Sequence, residues 1–405
     1  MSLPFADPQF WIVTGGAAAA LGYAIWRIRR RTRAETETPC ERCPKPGNPL
    51  APGGGGAGGP RRLGALVAAA LAGAGALDAA TVERQVAAMG TTLRVEVEVT
   101  NSRGDALAIA EALVREIEAA EARLSTWRDT SELARLNRTP VGEWIESAAA
   151  PELAAAARCA RETGFAFHPS IGRLVAAWGL RGEGRVPTPI ELAAARRDLD
   201  EVGYESAEVA GRVRKTADVA IEEGAFGKGA GLDAALSRLE MLPRKERAGF
   251  VRLDLGGQIA WANARSPVRL ELADPRQRSR PVLEIAVADR RASLASSGDS
   301  EKQFTFIGKS FGHLIDPRTG APAPDFGSVA VVAANALAAD CLSTALFVMG
   351  PDDGSRWLAE HAREIEAAYL VVDGGRLRAK LTPELARRAR PLVEELEVEV
   401  LNGSS

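Results

Sequence analysis

Residues 312–350 read GHLIDPRTGAPAPDFGSVAVVAANALAADCLSTALFVMG. A turn, marked by Pro317 and the Thr-Gly pair after it, follows His313, which is one of three histidines in the chain. The residues after the turn predict a short strand at 328–333 and then a buried helix at 335–349. The segment therefore predicts a polar turn, a strand and an apolar helix in direct succession.

Two polar side chains, Asp340 and Thr344, lie inside the apolar helix. A carboxylate among Ala, Leu, Cys and Phe is costly unless its charge is compensated. Because positions i and i+4 share one face of a helix, the pair offers two hard oxygen ligands of the kind that Mg²⁺ prefers. The residues alone leave an alternative, in which Asp340 caps the helix and Thr344 bonds to its own backbone. His313 alone likewise has two interpretations, a structural histidine or a general base.

A glycine-rich segment, residues 220–233, reads AIEEGAFGKGAGLD. Its pattern predicts a strand that runs into a turn, with a helix from Leu232 onward. Backbone N–H groups at such a helix start favour phosphate, and Lys228 would add a point charge. The segment has no Ser or Thr after the Lys and lacks the third Gly of a dinucleotide fingerprint. The spacing by itself therefore predicts only a weak phosphate site.

HLIDPRTG followed by AADCLSTALFVMG resembles the ApbE family of FAD:protein FMN transferases, over roughly residues 85–380. Members of that family cut FAD and leave FMN esterified to a Thr or Ser of a partner protein. The resemblance implies an α+β fold, mainly an antiparallel β-sheet with helices packed against it and FAD at the junction. It also implies an enzyme whose substrates are FAD and an acceptor redox protein that carries a flavinylation Thr or Ser.

The resemblance assigns the site residue by residue. Met89 and Trp127 would enclose the isoalloxazine ring from its two faces, although core packing is the alternative for both. His313 would accept the proton of the incoming hydroxyl. The residues assigned to FAD are Met89, Trp127, Ala166, Phe167, His168, Glu222, Lys228 and Leu314. The residues assigned to Mg²⁺ are Ala225 through its carbonyl, Asp340, Ser343 and Thr344.

Several positions depart from the family pattern. His168 replaces an acidic residue and is interpreted as a polar wall of the nucleotide site, not a catalyst. Glu222 and Gln258 stand where the family has Asp, and Ala230 stands where it has an aromatic residue. The last three departures motivate alternative functions: a flavin-binding protein without transfer activity, an FAD pyrophosphatase that uses water, or a membrane-bound adaptor.

The N-terminal residues predict attachment to a membrane. Residues 10–26 form an uncharged apolar run near the lower length limit for a membrane helix, and five arginines follow within 27–33. The arginines place that end in the cytoplasm. A second apolar run, at 63–77, resembles the core of a signal peptide, and its cleavage is left open. This topology places the catalytic domain in the periplasm, at the inner membrane of a bacterium.

The sequence divides into five parts. They are a membrane helix with a basic flank (1–35), a Gly/Pro-rich linker with a CxxC pair (36–60), the second apolar segment (61–80), the transferase domain (81–380) and a polar helical tail (381–405). Cys40 and Cys43 form the CxxC pair, which is either a redox or metal-delivery site or an incidental pair. The net charge of −2 gives no indication of a nucleic-acid surface.

Overall fold

The computed structural model describes residues 80–99, 103–242, 248–299, 303–306, 309–361 and 365–401, all within the compact unit that begins at Gly75. The predictions for residues 1–79, which concern the two apolar runs, the linker and its cysteines, lie outside the described residues. Within the described ranges, no helix is both long and apolar enough to cross a membrane.

The strands come first in this description. In chain order they are β1 (Ala80–Ala88), β2 (Thr91–Val99), β3 (Ile145–Glu146), β4 (Tyr204–Ala207), β5 (Arg212–Lys215), β6 (Val251–Leu255), β7 (Gln258–Ala262), β8 (Val268–Asp274), β9 (Gln277–Val287), β10 (Ala292–Gly298), β11 (Gln303–Phe306), β12 (Lys309–Gly312), β13 (Gly327–Ala333), β14 (Glu366–Asp373), β15 (Arg376–Leu381), β16 (Ala389–Pro391) and β17 (Glu397–Val400). The helices are α1 (Arg103–Leu124), α2 (Glu132–Arg138), α3 (Ala150–Glu162), α4 (Gly172–Ala177), α5 (Pro189–Ala195), α6 (Gly227–Met241), α7 (Ala336–His361) and α8 (Pro383–Ala386).

The described strands build one large sheet and three small ones. The large sheet has nine strands in the order β1-β2-β6-β7-β10-β13-β14-β15-β17, and its neighbours are antiparallel except β15 and β17. The small sheets are β3-β5-β4, β16-β9-β8 and the hairpin β11-β12. The prediction of an α+β fold with a mainly antiparallel sheet is therefore confirmed.

Helices α1 and α6 pack together over the β1–β2–β6–β7 part of the large sheet. Leu93, Val95 and Val97 of β2 are fully buried and alternate with more exposed neighbours, as the period-two pattern predicts. They share a core with Ile117 of α1 and Leu236 of α6. This core fixes α6 against the sheet and so fixes the position of the glycine-rich segment at its start.

The apolar helix of the opening segment is the first part of α7. The sequence predicts two helices, at 335–349 and 355–365, and α7 joins them across a kink at Gly350. Gly350 has φ 75° and ψ 173°, which are not helical values, and Pro351 follows it. The N-terminal part of α7 is buried, and Phe347 packs in a core with Val329 of β13 and Tyr369 of β14.

The prediction of a polar helical tail at 381–405 is wrong. The described part of this segment contains one short helix, α8, followed by β16, which pairs with β9, and β17, which pairs with β15. The physical reason lies in residues 397–400, which read EVEV and have the period of a strand. All four of these residues are exposed because β17 is an edge strand, so the segment is polar without being helical.

Candidate active site

The glycine-rich segment forms the first turns of α6, not a turn ahead of it. The helix begins at Gly227, so the predicted start at Leu232 is wrong, and the strand predicted before it is only an isolated bridge at Ala220. The cause is the close approach of α7, because a Cβ on Gly229 would lie 2.4 Å from the carbonyl oxygen of Ala336. A helix crossing that only glycine permits thus outweighs the low helix propensity of glycine.

Asp340 of α7 meets the start of α6 at this crossing. Its Oδ2 accepts a hydrogen bond from the backbone N–H of Gly229 at 2.9 Å, and the side chain is buried. Burial raises the pKa of Asp340, while the charge of Lys228 and the Gly229 hydrogen bond act to lower it. A buried carboxylate in this position is stabilised by a cation beside it.

Two polar side chains fix the first turn of α7. Asp233 of α6 accepts hydrogen bonds from the backbone N–H groups of Ala336, at 2.8 Å, and Leu337, at 2.9 Å. This places a carboxylate at the positive end of the α7 dipole. Gln258 of β7 is buried and donates from Nε2 to the carbonyl oxygen of Ala336 at 2.8 Å. The amide at position 258 therefore helps to hold the helix that carries Asp340.

The other residues assigned to Mg²⁺ lie on the same two elements. Thr344 is one turn after Asp340 and is half-buried, and Ala225 lies just before α6. The Ser343 hydroxyl donates to the carbonyl oxygen of Asp340 at 3.0 Å and lies 2.9 Å from Oγ of Ser297 in β10. Nowhere in the described ranges do three His, Cys, Asp or Glu side chains group to hold a metal ion. The assigned donors instead are oxygens with a single carboxylate, which fits a Mg²⁺ ion that also binds substrate phosphate.

Met89 lies in the tight turn between β1 and β2, with a φ of 49°. Its backbone N–H donates to Oε2 of Glu121 at 2.9 Å. Its side chain packs on α6, because a Cβ on Gly231 would lie 3.1 Å from Met89 Sδ, and one on Gly227 would lie 3.7 Å from Met89 Cε. The structure therefore brings Met89 to the same helix start as Lys228.

Trp127 is not a core residue, since 67% of it is exposed. The guanidinium carbon of Arg181 lies 5.0 Å from the centroid of the indole ring. Arg181 also donates to Oγ1 of Thr126 at 2.5 Å and to its carbonyl oxygen at 3.2 Å, and it forms an ion pair with Glu222. Because one guanidinium reaches both groups, the covered face of the indole is the face toward Glu222.

Glu222 and Glu223 both contact the segment that carries Trp127. The Thr126 hydroxyl donates to Oε1 of Glu222 at 3.2 Å, and the Thr126 backbone N–H donates to Oε1 of Glu223 at 3.1 Å. Burial raises the pKa of Glu222, the charge of Glu223 raises it further, and the hydrogen bond and charge of Arg181 act to lower it. Sequence reasoning missed Glu223 and Arg181, because neither lies at a position with a motif role.

Ala166, Phe167 and His168 are all buried. Nδ1 of His168 accepts the backbone N–H of Ser170 at 3.0 Å, and Nε2 lies 3.1 Å from the carbonyl oxygen of Glu201. Burial lowers the pKa of His168 to about 4, so the ring is neutral at pH 7. His168 is therefore part of the local framework, which agrees with its interpretation as a noncatalytic residue.

His313 follows β12 and is half-buried, with Leu314 partly buried next to it. Nδ1 of His313 lies 3.5 Å from Oδ1 of Asp299, which directly follows β10. The turn after His313 is held by Trp178, whose Nε1 donates to the carbonyl oxygen of Gly320 at 2.7 Å. Since Ser297 of β10 also contacts Ser343 of α7, the end of β10 links His313 with the helix that carries Asp340.

The family model of the ApbE family matches residues 89–369. The chain belongs to the ApbE family. The FAD:protein FMN transferase of Haemophilus influenzae is 31% identical over 70% of this chain and 84% of its own length, and that of Treponema pallidum is 30% identical over 70% and 83%. The ApbE protein of Thermotoga maritima has a TM-score of 0.63 and 27% identity over 72% of this chain and 94% of its own. The apo flavinyl transferase ApbE of Pseudomonas stutzeri has a TM-score of 0.65 at 23% identity, over 76% and 97%, and supports the fold alone.

Family membership confirms the resemblance that the motifs carried, and it makes this ApbE chain an enzyme. The structure of the ApbE chain brings Met89 and the Mg²⁺ residues to the start of α6, and it brings Trp127 to Glu222. Sequence reasoning gave no role to Asp233 or Asp299. Both lie in quoted motifs, and their acidic character was the available signal.

Proposed function

We propose that the chain transfers the FMN half of FAD to a Thr or Ser hydroxyl of a partner redox protein, with AMP as the leaving group and Mg²⁺ required. The observation that carries this proposal is the meeting of Met89, Lys228 and Asp340 at the start of α6. A thioether for a flavin ring, a cation for a pyrophosphate and a buried carboxylate for a metal are the groups that this reaction needs.

Binding of the pyrophosphate falls to the N-terminal turns of α6 and to Lys228. A helix start favours anions, and the glycines let a ligand approach the backbone closely. Lys228 forms no salt bridge with another described residue, and its charge acts on the pKa of Asp340. Its ammonium group is therefore available to a phosphate oxygen.

Asp340, Thr344 and the Ala225 carbonyl would hold Mg²⁺, with Ser343 beside them. When bound, the ion supplies charge neutralisation for the pyrophosphate. Asp340 gains most from the ion because burial already raises its pKa in the free protein. Gly229 and Asp233 keep this carboxylate in place through the hydrogen bonds at the crossing of α6 and α7.

His313 is the proposed general base. The proton of the acceptor hydroxyl passes to the imidazole, the hydroxyl oxygen forms a bond to the FMN-side phosphorus, and the bond from that phosphorus to the bridging oxygen of AMP breaks. AMP departs with that oxygen and its electron pair, and the imidazolium later gives its proton to solvent. The half-buried position of His313 leaves the ring accessible to an acceptor from outside.

We further propose that the catalytic domain lies in the periplasm, anchored to the bacterial inner membrane. Support comes from the apolar run at 10–26 and the arginines at 27–33. Fusions of alkaline phosphatase after residue 35 and after residue 405 test this topology. Activity only in the second fusion agrees with the proposal, and activity in the first contradicts it.

The experiment that tests the activity measures AMP release from FAD by the 405-residue chain with Mg²⁺. It is run with and without a peptide that carries a flavinylation Thr, beside a His313→Ala variant. AMP that depends on the peptide, together with a covalently fluorescent peptide, is the expected result, and both are lost in the variant. AMP without the peptide would instead indicate a pyrophosphatase. FAD binding with no AMP in either case would indicate a flavin carrier.

A further inference from the structure

Asp299 is a fully buried carboxylate next to the proposed base. Only 1% of the residue is exposed, and neither of its carboxylate oxygens has a hydrogen-bond donor among the described residues. A buried carboxylate without donors is costly, so a partner for its charge is required. The partner that the structure provides is Nδ1 of His313, at 3.5 Å from Oδ1.

Gly312 shows how closely the chain is fitted around this carboxylate. A Cβ at position 312 would lie 2.0 Å from Oδ2 and 2.2 Å from Cγ of Asp299. Only a residue without a side chain therefore lets β12 pass Asp299 and deliver His313 directly afterwards. Backbone and carboxylate are packed so that the Nδ1 edge of the imidazole meets the acid.

We propose that Asp299 is a positioning residue for His313, and this inference rests on the proposed function above. Its carboxylate accepts the Nδ1–H of the neutral ring and so leaves Nε2 unprotonated. Nε2 is then the atom that takes the proton of the acceptor hydroxyl. After that transfer the ring carries a positive charge, which the buried carboxylate stabilises. The distance of 3.5 Å is longer than a hydrogen bond, as is common for such contacts before substrate binds.

The histidine tautomers provide a test that needs no ligand. The chain has three histidines, so ¹⁵N-histidine labelling of the full chain gives few signals, and the His313→Ala variant assigns those of His313. We expect His313 to carry its proton on Nδ1. His168 provides an internal reference of the opposite kind, because its Nδ1 accepts the N–H of Ser170 and its proton lies on Nε2.

In Asp299→Asn the amide can donate to Nδ1, so we expect the signals of His313 to change to the Nε2–H form while those of His168 stay. Asp274→Asn is the matched control, since Asp274 is also a buried carboxylate but is held by Arg276 and Arg280 on a separate sheet. It should leave the His313 signals unchanged. A His313 ring that already carries its proton on Nε2 in the wild type would overturn the inference.

Kinetics test the consequence for catalysis. Asp299→Asn should lower kcat for AMP formation by about 10-fold or more and change KM for FAD by less than about 3-fold, because the base is misdirected while the flavin site is intact. The Tm should not fall, because Asn removes a buried charge without removing a hydrogen bond. Should Asp299→Asn fail to fold, Gly312→Ala decides the question, since its methyl group displaces the carboxylate and should shift the same tautomer.

The outcomes separate the two proposals. A wild type that forms no AMP with FAD and the Thr peptide would overturn the proposed function. An active wild type, an inactive His313→Ala and an unchanged kcat in Asp299→Asn would overturn only the positioning role.

Discussion

The crossing of α6 and α7 makes the strongest stability prediction. A Cβ at Gly229 would meet three backbone atoms of α7 between 2.4 and 2.7 Å, so Gly229→Ala must push the helices apart. Overpacking of this kind costs about 3 kcal/mol at its upper end, and alanine returns about 1 kcal/mol of helix propensity. We therefore expect a net loss of about 2 kcal/mol in the free energy of unfolding, which corresponds to a Tm lower by about 4 °C.

Gly231→Ala is the matched control on the same helix. Its Cβ would meet Met89 Sδ at 3.1 Å, and a flexible thioether can move where a backbone cannot. Thermal unfolding and FAD titration of both variants separate the two effects. Gly229→Ala should lose Tm and AMP formation, whereas Gly231→Ala should keep its Tm and lose FAD affinity through the displaced Met89. Equal Tm values for the two variants would refute the close packing of α6 on α7.

Three further predictions concern single side chains of the site. Because burial lowers the pKa of His168 to about 4 from an unfolded value of 6.5, the unfolded state binds more protons between these values. The free energy of unfolding should be full above pH 6.5 and fall by about 3 kcal/mol toward pH 4, and urea titrations of the wild type and His168→Gln should show that the variant loses less. Mg²⁺ should raise the Tm of the wild type and leave that of Asp340→Asn unchanged, since a ligand stabilises only the state that binds it; an equal rise in both would place the ion elsewhere. Trp127→Ala should weaken FAD binding about 10-fold in calorimetric titration, with Trp127→Phe in between, while the Tm of both stays at the wild-type value because the side chain is exposed.

The period of the sequence was enough for the central elements. Strand β2 alternates strictly, and α7 has a long apolar run, so both were predictable from local pattern. The pattern failed where packing decided the outcome. The glycines of α6 are poor helix formers and signalled a turn, but the close contact with α7 makes them helical. The polarity of residues 397–400 suggested a helix, but their place at the edge of the sheet makes them a strand.

The site was predictable to the extent that its residues lie in motifs. Met89, Lys228 and Asp340 were assigned from the resemblance, and all three lie at the start of α6. Their contact partners were not predictable, since a partner comes from an element remote in the chain. Nothing in the residues around Arg181 indicated that it would lie over Trp127.

Glu222 shows how a departure from the family pattern is compensated in the fold. The sequence suggested that the longer Glu, where the family has Asp, changes the reach toward FAD. In the structure its carboxylate is buried and bound to Arg181 and Thr126. The same Arg181 covers the indole face on which a flavin would stack, so a ligand that enters has to compete with this ion pair for the guanidinium or displace it. A phosphate-bearing ligand offers Arg181 a replacement for Glu222, and the raised pKa of Glu222 makes its release as a neutral acid less costly. The departure at position 222 is therefore tied to a closed, charge-balanced state of the free site, and it is not a loss of the group that the family pattern places there.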